Sequence, residues 1–157
     1  MKLLVINGPS INMLGIREKE IYGEKSYKEL CSFIKEISKA NNAKTKIYQS
    51  NSEGKIIDAI QRAYFKKVDG IIINPGAYTH YSYAIGDAIK AVNIKTIEVH
   101  LSDISAREDF RKVSVISDVC VKTISGKGFD SYKEAIELLV NGPKGLKIKK
   151  HIEKILK

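Results

Sequence analysis

The chain has 157 residues, of which 43% are apolar and 29% charged. This length and composition fit one soluble globular domain and exclude collagen-like, disulfide-rich and low-complexity proteins. We expect a cytoplasmic protein without a membrane segment, because no apolar run approaches the roughly 20 residues that a bilayer-spanning helix needs. Cys31 and Cys120 have neither metal-binding spacing nor a secretory context, so two separate buried thiols are expected.

The formal net charge of +9 is unevenly distributed. Residues 144–157 hold six lysines and one glutamate, a net charge of +5, and residues 1–143 carry the remaining +4. We therefore divide the chain into a single domain over 1–143 and a basic tail over 144–157. The tail is weakly amphipathic, which favours a solvated or docking helix over contact with an anionic polymer. Nucleic-acid binding is not expected.

Five apolar runs alternate with helical periodicities along the chain. Strands are predicted over 2–6, 43–49, 70–74, 96–100 and 119–124; helices are predicted behind capping signals at Ser26 and Ser50, from Ser82 to Val92 and from Ser131 to Val140. This alternation is typical of a three-layer α/β domain with a parallel sheet and right-handed crossovers. The common strand order for five such units is 2-1-3-4-5, with ligands bound at the carboxyl edge between strands one and three.

Polar side chains stand where these predicted strands end. Asn7 follows strand one, Asn74 ends strand three, and Glu98 and His100 lie at the end of strand four. Glu98 and His100 share one face of their strand, because alternate residues point the same way. A carboxylate fixes the tautomer of a neighbouring imidazole and favours its protonated form, which suits His100 to donate a proton. Taken alone, a histidine at a strand end is more often structural.

The loop after strand one lacks the glycine patterns that bind nucleotide phosphates. It carries Gly8, Gly15 and Gly23 around Arg17 and Tyr22, an arrangement typical of a lid that closes over a small molecule. A guanidinium favours the charged form of a nearby phenol, so Arg17 beside Tyr22 predicts a tyrosine base. An ordinary surface loop is the alternative interpretation.

Further polar groups follow strands three and four. His80 lies in the turn after strand three, and Asp87 lies in the helix behind it. Leu101–Ser102 can offer backbone amides and a hydroxyl to a carboxylate. Arg107 and Arg111 are four residues apart and share one face if that segment is helical. These groups suit an anionic, hydroxylated substrate.

Spaced motifs from residue 3 to about 140 carry a family resemblance. The motifs are Asn7-Gly-Pro, Leu14-Gly-x-Arg17-Glu-x-x-x-Tyr22-Gly, Gln49-Ser-Asn-Ser-Glu-Gly54, Ile73-Asn-Pro-Gly-Ala-Tyr-Thr-His80-Tyr-Ser82, and Ile97-Glu-Val-His-Leu-Ser102 with Ala106-Arg-Glu-Asp-Phe-Arg111. Together they resemble the type II 3-dehydroquinate dehydratases. The resemblance implies a flavodoxin-like fold, a homododecamer built as four trimers, and no metal or cofactor. It also implies dehydration of 3-dehydroquinate to 3-dehydroshikimate in the shikimate pathway of aromatic amino-acid biosynthesis.

The resemblance also implies roles for individual residues. Tyr22 would remove the proton alpha to the ketone, with Arg17 sustaining its phenolate. His100, steadied by Glu98, would protonate the C1 hydroxyl as it departs from an enolate intermediate. Asn74, Leu101 and Ser102 would hold the C1 hydroxyl and the carboxylate, His80 and Arg111 the ring hydroxyls, and Asp87 would reach the site of an adjacent subunit.

Two positions depart from the family pattern. Ser10 and Asp103 stand where the family usually has asparagine, and the first of these positions helps to hold a water that stabilises the enolate. Ser10 keeps a donor and an acceptor but is shorter, so an extra water or the nearby Asn12 could substitute. We expect slower but real turnover. The alternatives are an impaired dehydratase relative and a flavodoxin-like module that only binds a small ligand.

Overall fold

The computed structural model describes residues 1–142, so the predicted tail over 144–157 lies outside the described residues. The strands are β1 (Lys2–Asn7), β2 (Lys44–Gln49), β3 (Gly70–Asn74), β4 (Lys95–Val99) and β5 (Lys122–Ile124), and the helices are α1 (Lys19–Tyr22), α2 (Tyr27–Ala40), α3 (Glu53–Phe65), α4 (Tyr83–Val92) and α5 (Asp130–Asn141). Short 3-10 turns lie at Ile11–Met13, Gly76–His80, Ile104–Ala106, Asp109–Arg111 and Ser117–Val119.

The five strands form one parallel sheet in the order β2-β1-β3-β4-β5. Alternate side chains of the central strands face opposite layers of helices. Leu3 and Val5 of β1 belong to a core shared with α2 and α5, whereas Leu4 and Ile6 belong to a core shared with α3 and α4. The structure thus confirms the predicted three-layer, flavodoxin-like fold and its strand order.

Helix starts follow local hydrogen bonding, and one predicted cap is wrong. Ser26 and Glu29 form the expected reciprocal capping box, and the Ser82 hydroxyl accepts from the Ile85 amide at the start of α4. At α3, however, Ser52 is the cap, and the Ser50 hydroxyl accepts from the Ser52 amide instead. Ser50 lies two residues before this cap, too early to reach the first turn of the helix.

The last strand is shorter than predicted, because α4 rather than the sheet buries the preceding apolar residues. Ser117–Val119 is a 3-10 turn, and β5 begins only at Lys122. The turn and the preceding Ile116 pack against α4 at Gly86. A Cβ on Gly86 would lie 3.7 Å from Ile116 Cγ2 and 3.9 Å from Val119 Cγ2. Apolar composition alone therefore misplaced the boundary.

Three smaller expectations also need correction. Cys120 is buried as expected, but Cys31 is only half-buried. The segment holding Arg107 and Arg111 is not a helix, since two separate 3-10 turns occupy it. The loop after β1 contains the one-turn helix α1, which ends in Tyr22.

Within residues 1–142, no helix is both long and apolar enough to cross a bilayer.

Close contact between the ends of β1 and β3 requires a glycine after β1. The Gly8 amide donates to the Asn74 carbonyl at 2.7 Å, and a Cβ on Gly8 would lie 2.5 Å from the Pro75 carbonyl oxygen. We expect Gly8→Ala to lower the free energy of unfolding by about 1–3 kcal/mol, because rigid backbone atoms would have to move. Urea denaturation measures this loss.

Gly54→Ala is the matched control for that substitution. Gly54 lies in α3, where its nearest potential contact, the Ser52 hydroxyl, is 4.0 Å away. Alanine there should leave the stability unchanged or raise it by up to ~1 kcal/mol, since alanine is the better helix former. Equal stability of the two variants would contradict the proposed close contact at Gly8.

Candidate active site

The register of the parallel strands brings their polar ends to one edge of the sheet. Asn7 of β1 pairs with Asn74 of β3, and Ile73 of β3 pairs with Glu98 of β4. A cleft of about 780 Å³, including its part open to solvent, lies at this carboxyl edge. Ten of its lining residues are Ser10, Arg17, Tyr22, Asn74, His80, His100, Leu101, Ser102, Arg107 and Arg111.

Two guanidinium groups surround the phenol oxygen of Tyr22. Arg17 Nη2 donates to it at 3.3 Å, and Arg107 Nη1 donates to it at 2.9 Å. The Arg17 guanidinium also lies over the Tyr22 ring, 4.8 Å from its centroid, and pairs with Glu18. Two positive charges favour a negative charge on the phenol oxygen more strongly than one does. The Tyr22 oxygen thus accepts hydrogen bonds from two guanidinium groups.

Arg107 is the partner of Tyr22 that sequence reasoning missed. Its hydrogen bond to Tyr22 raises the pKa of the Arg107 guanidinium above its ordinary value. From the sequence, Arg107 is only one of two arginines, four residues apart, that suit an anionic substrate. No spacing rule links Tyr22 to a residue 85 positions later, so only the fold reveals this contact. Arg107 supplies the shorter of the two hydrogen bonds to the phenol.

His100 borders the cleft and is held from behind by a buried carboxylate. Its Nε2 lies 2.7 Å from Glu98 Oε1, and the Glu98 side chain is fully buried. Because an ionised carboxylate only accepts, Nε2 carries the proton in this contact. The other ring nitrogen, Nδ1, is then the atom of His100 that can exchange a proton with a ligand.

Three hydroxyl groups complete the surroundings of Glu98. Thr79 donates to Oε1, Ser114 contacts both carboxylate oxygens at 2.9 Å, and Thr123 donates to Oε2 at 3.1 Å. Burial raises the pKa of Glu98, but hydrogen bonds from His100, Thr79 and Ser114, with the charge of His100, bring it below its ordinary value. Sequence reasoning missed the three hydroxyls, because serine and threonine are common and these come from separate segments.

His80 and Arg111 face the cleft from the segments that follow β3 and β4. His80 Nδ1 lies 2.8 Å from the Val113 carbonyl, which can only accept, so Nδ1 carries a proton and Nε2 is the ring nitrogen left for a ligand. Arg111 Nε lies 3.4 Å from a Glu108 carboxylate oxygen, beyond good hydrogen-bond geometry, and the residue lines the cleft. Both side chains can therefore bind ligand hydroxyls.

Three positions that the sequence points to lie apart from the cleft: two predicted site residues and one departure from the family pattern. Asn12 is exposed and accepts a hydrogen bond from Gln49. Asp87 is exposed on α4. Asp103 caps the turn at Ile104–Ala106 by accepting from the Ser105 amide. By contrast, Ser10, at the other departure from the family pattern, borders the cleft.

The charge of the cleft indicates the kind of ligand it can take. Arg17, Arg107 and Arg111 line it, and within the described part of the chain no carboxylate does so directly. An anionic ligand would therefore meet three guanidinium groups, which bind carboxylates through paired hydrogen bonds. A tyrosine beside two cations and a histidine held by a carboxylate line the same cleft. This combination is typical of sites for general acid–base chemistry, and the three guanidinium groups favour an organic anion as the ligand.

Comparisons with known proteins narrow this class to a family. A sequence model described as "Dehydroquinase class II" matches residues 1–140. The chain is 58% identical over 139 residues to a 3-dehydroquinate dehydratase of Clostridium beijerinckii, covering 88% of this chain and 95% of that relative. A Caldicellulosiruptor saccharolyticus protein of the same name is 60% identical over 138 residues, with the same coverage.

Solved structures agree with the sequence matches. The type II dehydroquinase of Butyrivibrio crossotus has a TM-score of 0.87 and 56% identity, covering 88% of this chain and 97% of that one. The type II dehydroquinase of Propionibacterium acnes has a TM-score of 0.86 at 36% identity, covering 89% and 96%. The chain belongs to the class II dehydroquinase family. This confirms the resemblance found in the motifs and favours an enzyme over a module that only binds a small ligand.

The buried carboxylate predicts an acid-dependent loss of stability. Because the pKa of Glu98 is below its ordinary value of 4.5 in the folded protein, the ionised group contributes stability above that pH. The contribution disappears as the pH falls through the lower, folded-state pKa. We expect Glu98→Gln to cost about 2 kcal/mol at neutral pH and to flatten the fall in unfolding free energy below pH 4.5. Urea denaturation at several pH values measures both effects.

Glu134→Gln is the surface control for this experiment. Glu134 pairs with Lys122 and Lys127, and hydrogen bonds from Lys127 and Lys122 lower its pKa as well. Exposed ion pairs contribute little, so this variant should change stability by less than ~1 kcal/mol. Parallel pH curves for wild type and Glu98→Gln would contradict the assignment of acid sensitivity to Glu98.

Proposed function

We propose that the chain dehydrates 3-dehydroquinate to 3-dehydroshikimate, with Tyr22 as the base and His100 as the general acid. The observation that carries the proposal is the contact of the Tyr22 oxygen with both Arg17 and Arg107 in the cleft that His100 borders. Family membership supports the reaction, and the opposite charges around the two side chains support their division of roles.

The proposed reaction proceeds in two proton transfers. The Tyr22 phenolate takes the proton alpha to the ketone, and the electron pair of the broken C–H bond forms an enolate. The enolate then reforms the ketone and expels the C1 hydroxyl, which leaves as water after receiving a proton from His100 Nδ1. Each positioned acid or base contributes on the order of 10² to 10⁴ in rate. Proton return from Tyr22 to His100 through solvent restores both groups.

Glu98 supports the acid role without touching the substrate. Its carboxylate accepts from His100 Nε2 and balances the positive charge that His100 carries before it gives up its proton. The three hydroxyls on Glu98 keep this carboxylate ionised and in place. In the proposed mechanism Glu98 is therefore a positioning residue.

Substrate binding is proposed to use the remaining groups of the cleft. Asn74, Leu101 and Ser102 hold the C1 hydroxyl and the carboxylate, while His80 and Arg111 bind ring hydroxyls. Ser10 is proposed to hold the water that stabilises the enolate. Its backbone has a positive φ of 65°, a conformation in which asparagine is less strained than serine. The shorter Ser10 side chain and this strain support slower turnover than the family pattern implies.

Assembly into a homododecamer of four trimers is also part of the proposal. Large apolar side chains near the cleft are exposed, and among them are Tyr81, Tyr83, Phe110 and Val113. Asp87 lies one helical turn after Tyr83 on the exposed face of α4, so a subunit that covered these side chains would meet Asp87 too. We propose that Asp87 reaches the cleft of that neighbour. A cytoplasmic location completes the proposal and rests on the sequence.

A dehydratase assay with two variants tests the proposal. Wild-type protein should convert 3-dehydroquinate to the conjugated product, whose ultraviolet absorbance is followed with time. Tyr22→Phe removes the base and His100→Ala removes the acid, so each should lower kcat by about 10² to 10⁴. Tyr48→Phe, a half-buried tyrosine on β2, is the matched control and should keep wild-type activity.

Different outcomes contradict different parts of the proposal. Near-wild-type activity of Tyr22→Phe would remove Tyr22 as the base. A folded wild-type protein that binds 3-dehydroquinate and forms no product would be an impaired relative of the family. Thermal melting of each variant separates lost chemistry from lost folding.

A further inference from the structure

One tyrosine joins the two asparagines at the ends of the central strands. The Tyr132 hydroxyl donates to Asn7 Oδ1 at 2.7 Å and accepts from Asn74 Nδ2 at 3.1 Å. Tyr132 comes from α5, and all three side chains are at most 2% exposed. Asn74 borders the cleft, whereas Tyr132 lies behind it. The sequence pattern of this region predicts only the last helix.

These contacts decide which way the Asn74 side chain is turned. The two ends of an asparagine carboxamide have nearly the same shape, so hydrogen bonds alone distinguish them. Asn74 Oδ1 accepts from the Gly76 amide at 3.2 Å, and Asn74 Nδ2 donates to Tyr132. Because the Tyr132 hydrogen is already directed at Asn7, its oxygen must accept from Asn74. The amide group of Asn74 therefore has one orientation.

The chemistry of Tyr132 suits this role. Burial raises the pKa of its hydroxyl well above the usual range for tyrosine. The group therefore stays neutral, and a neutral hydroxyl can donate one hydrogen bond while accepting another. Asn7 in turn donates to the Tyr27 hydroxyl, but at 3.5 Å this contact is at the limit of a hydrogen bond. The strong part of the network runs from Asn7 through Tyr132 to Asn74.

We infer that Tyr132 is a positioning residue for substrate binding, which fixes the orientation in which Asn74 presents its carboxamide to the C1 hydroxyl and carboxylate of the substrate. This inference rests on the proposed function. Tyr132 acts only through Asn74, so its contribution should vanish when the Asn74 side chain is removed. A merely structural tyrosine would affect stability equally in either background and would leave substrate affinity unchanged.

A double-mutant cycle tests this dependence. In Tyr132→Phe, Asn7 and Asn74 each lose a buried partner, and only the Gly76 amide still holds the carboxamide of Asn74. We expect KM for 3-dehydroquinate to rise about tenfold and kcat to change less than about threefold, in line with the loss of a binding hydrogen bond. In the Asn74→Ala background, Tyr132→Phe should cause no further change in kcat/KM. Assays at a temperature well below each melting point exclude unfolding.

Tyr27→Phe is the matched control, because it removes a hydroxyl of the same network that contacts Asn7 but not Asn74. An equal rise of KM in Tyr27→Phe, or additive effects of Tyr132→Phe and Asn74→Ala, would overturn the inference. If Tyr132→Phe does not fold, Asn7→Ser removes the acceptor that orients the Tyr132 hydroxyl and should raise KM at least about threefold. Wild-type turnover in the same assays tests the proposed function separately.

Discussion

A buried carboxylate cannot remain ionised unless neighbouring groups satisfy it, and Glu98 is such a group at the end of a central strand. Its partners come from the turn after β3, the segment before the Ser117–Val119 turn, and β5, in addition to His100 beside it. The hydrogen bonds to Glu98 therefore connect the loops at the carboxyl edge with one another. The same contacts hold His100 against the cleft, so fold stability and site geometry depend on one interaction.

The two candidate proton-transfer groups have surroundings of opposite charge. Tyr22 lies between Arg17 and Arg107, whereas His100 lies against Glu98. Cations favour a phenolate and an anion favours an imidazolium, so each side chain is suited to the form that its proposed role requires. The cations on one wall of the cleft also attract a carboxylate substrate. Charge placement thus links substrate binding to the proposed chemistry.

Local and periodic features of the structure could be predicted from the sequence. Strand order, the row of polar residues at the strand ends and the caps at Ser26 and Ser82 follow from apolar runs, turn residues and short-range hydrogen bonding. Contacts between distant segments could not be predicted. Arg107 reaches Tyr22, and Tyr132 reaches Asn7, only because the fold brings these segments together. The sequence contains no periodic signal for such pairs.

The errors at boundaries have a related cause. The apolar residues before Lys122 predicted an early start of β5, but an apolar side chain can be buried by a helix as well as by a sheet. Likewise, the spacing of Ser50 and Glu53 predicted a cap at Ser50, but the first helical turn begins after Ser52. Position in three dimensions, rather than residue type, settled both cases.

In the proposed reaction, Tyr22 removes the proton and His100 releases the water. Solvent deuterium incorporation into recovered 3-dehydroquinate, followed by NMR and corrected for exchange without enzyme, tests this most directly. His100→Ala should still exchange the position alpha to the ketone while forming little product, because the enolate forms but cannot expel its hydroxyl. Tyr22→Phe should show no exchange above the background. Exchange by Tyr22→Phe at the rate of His100→Ala would contradict the account.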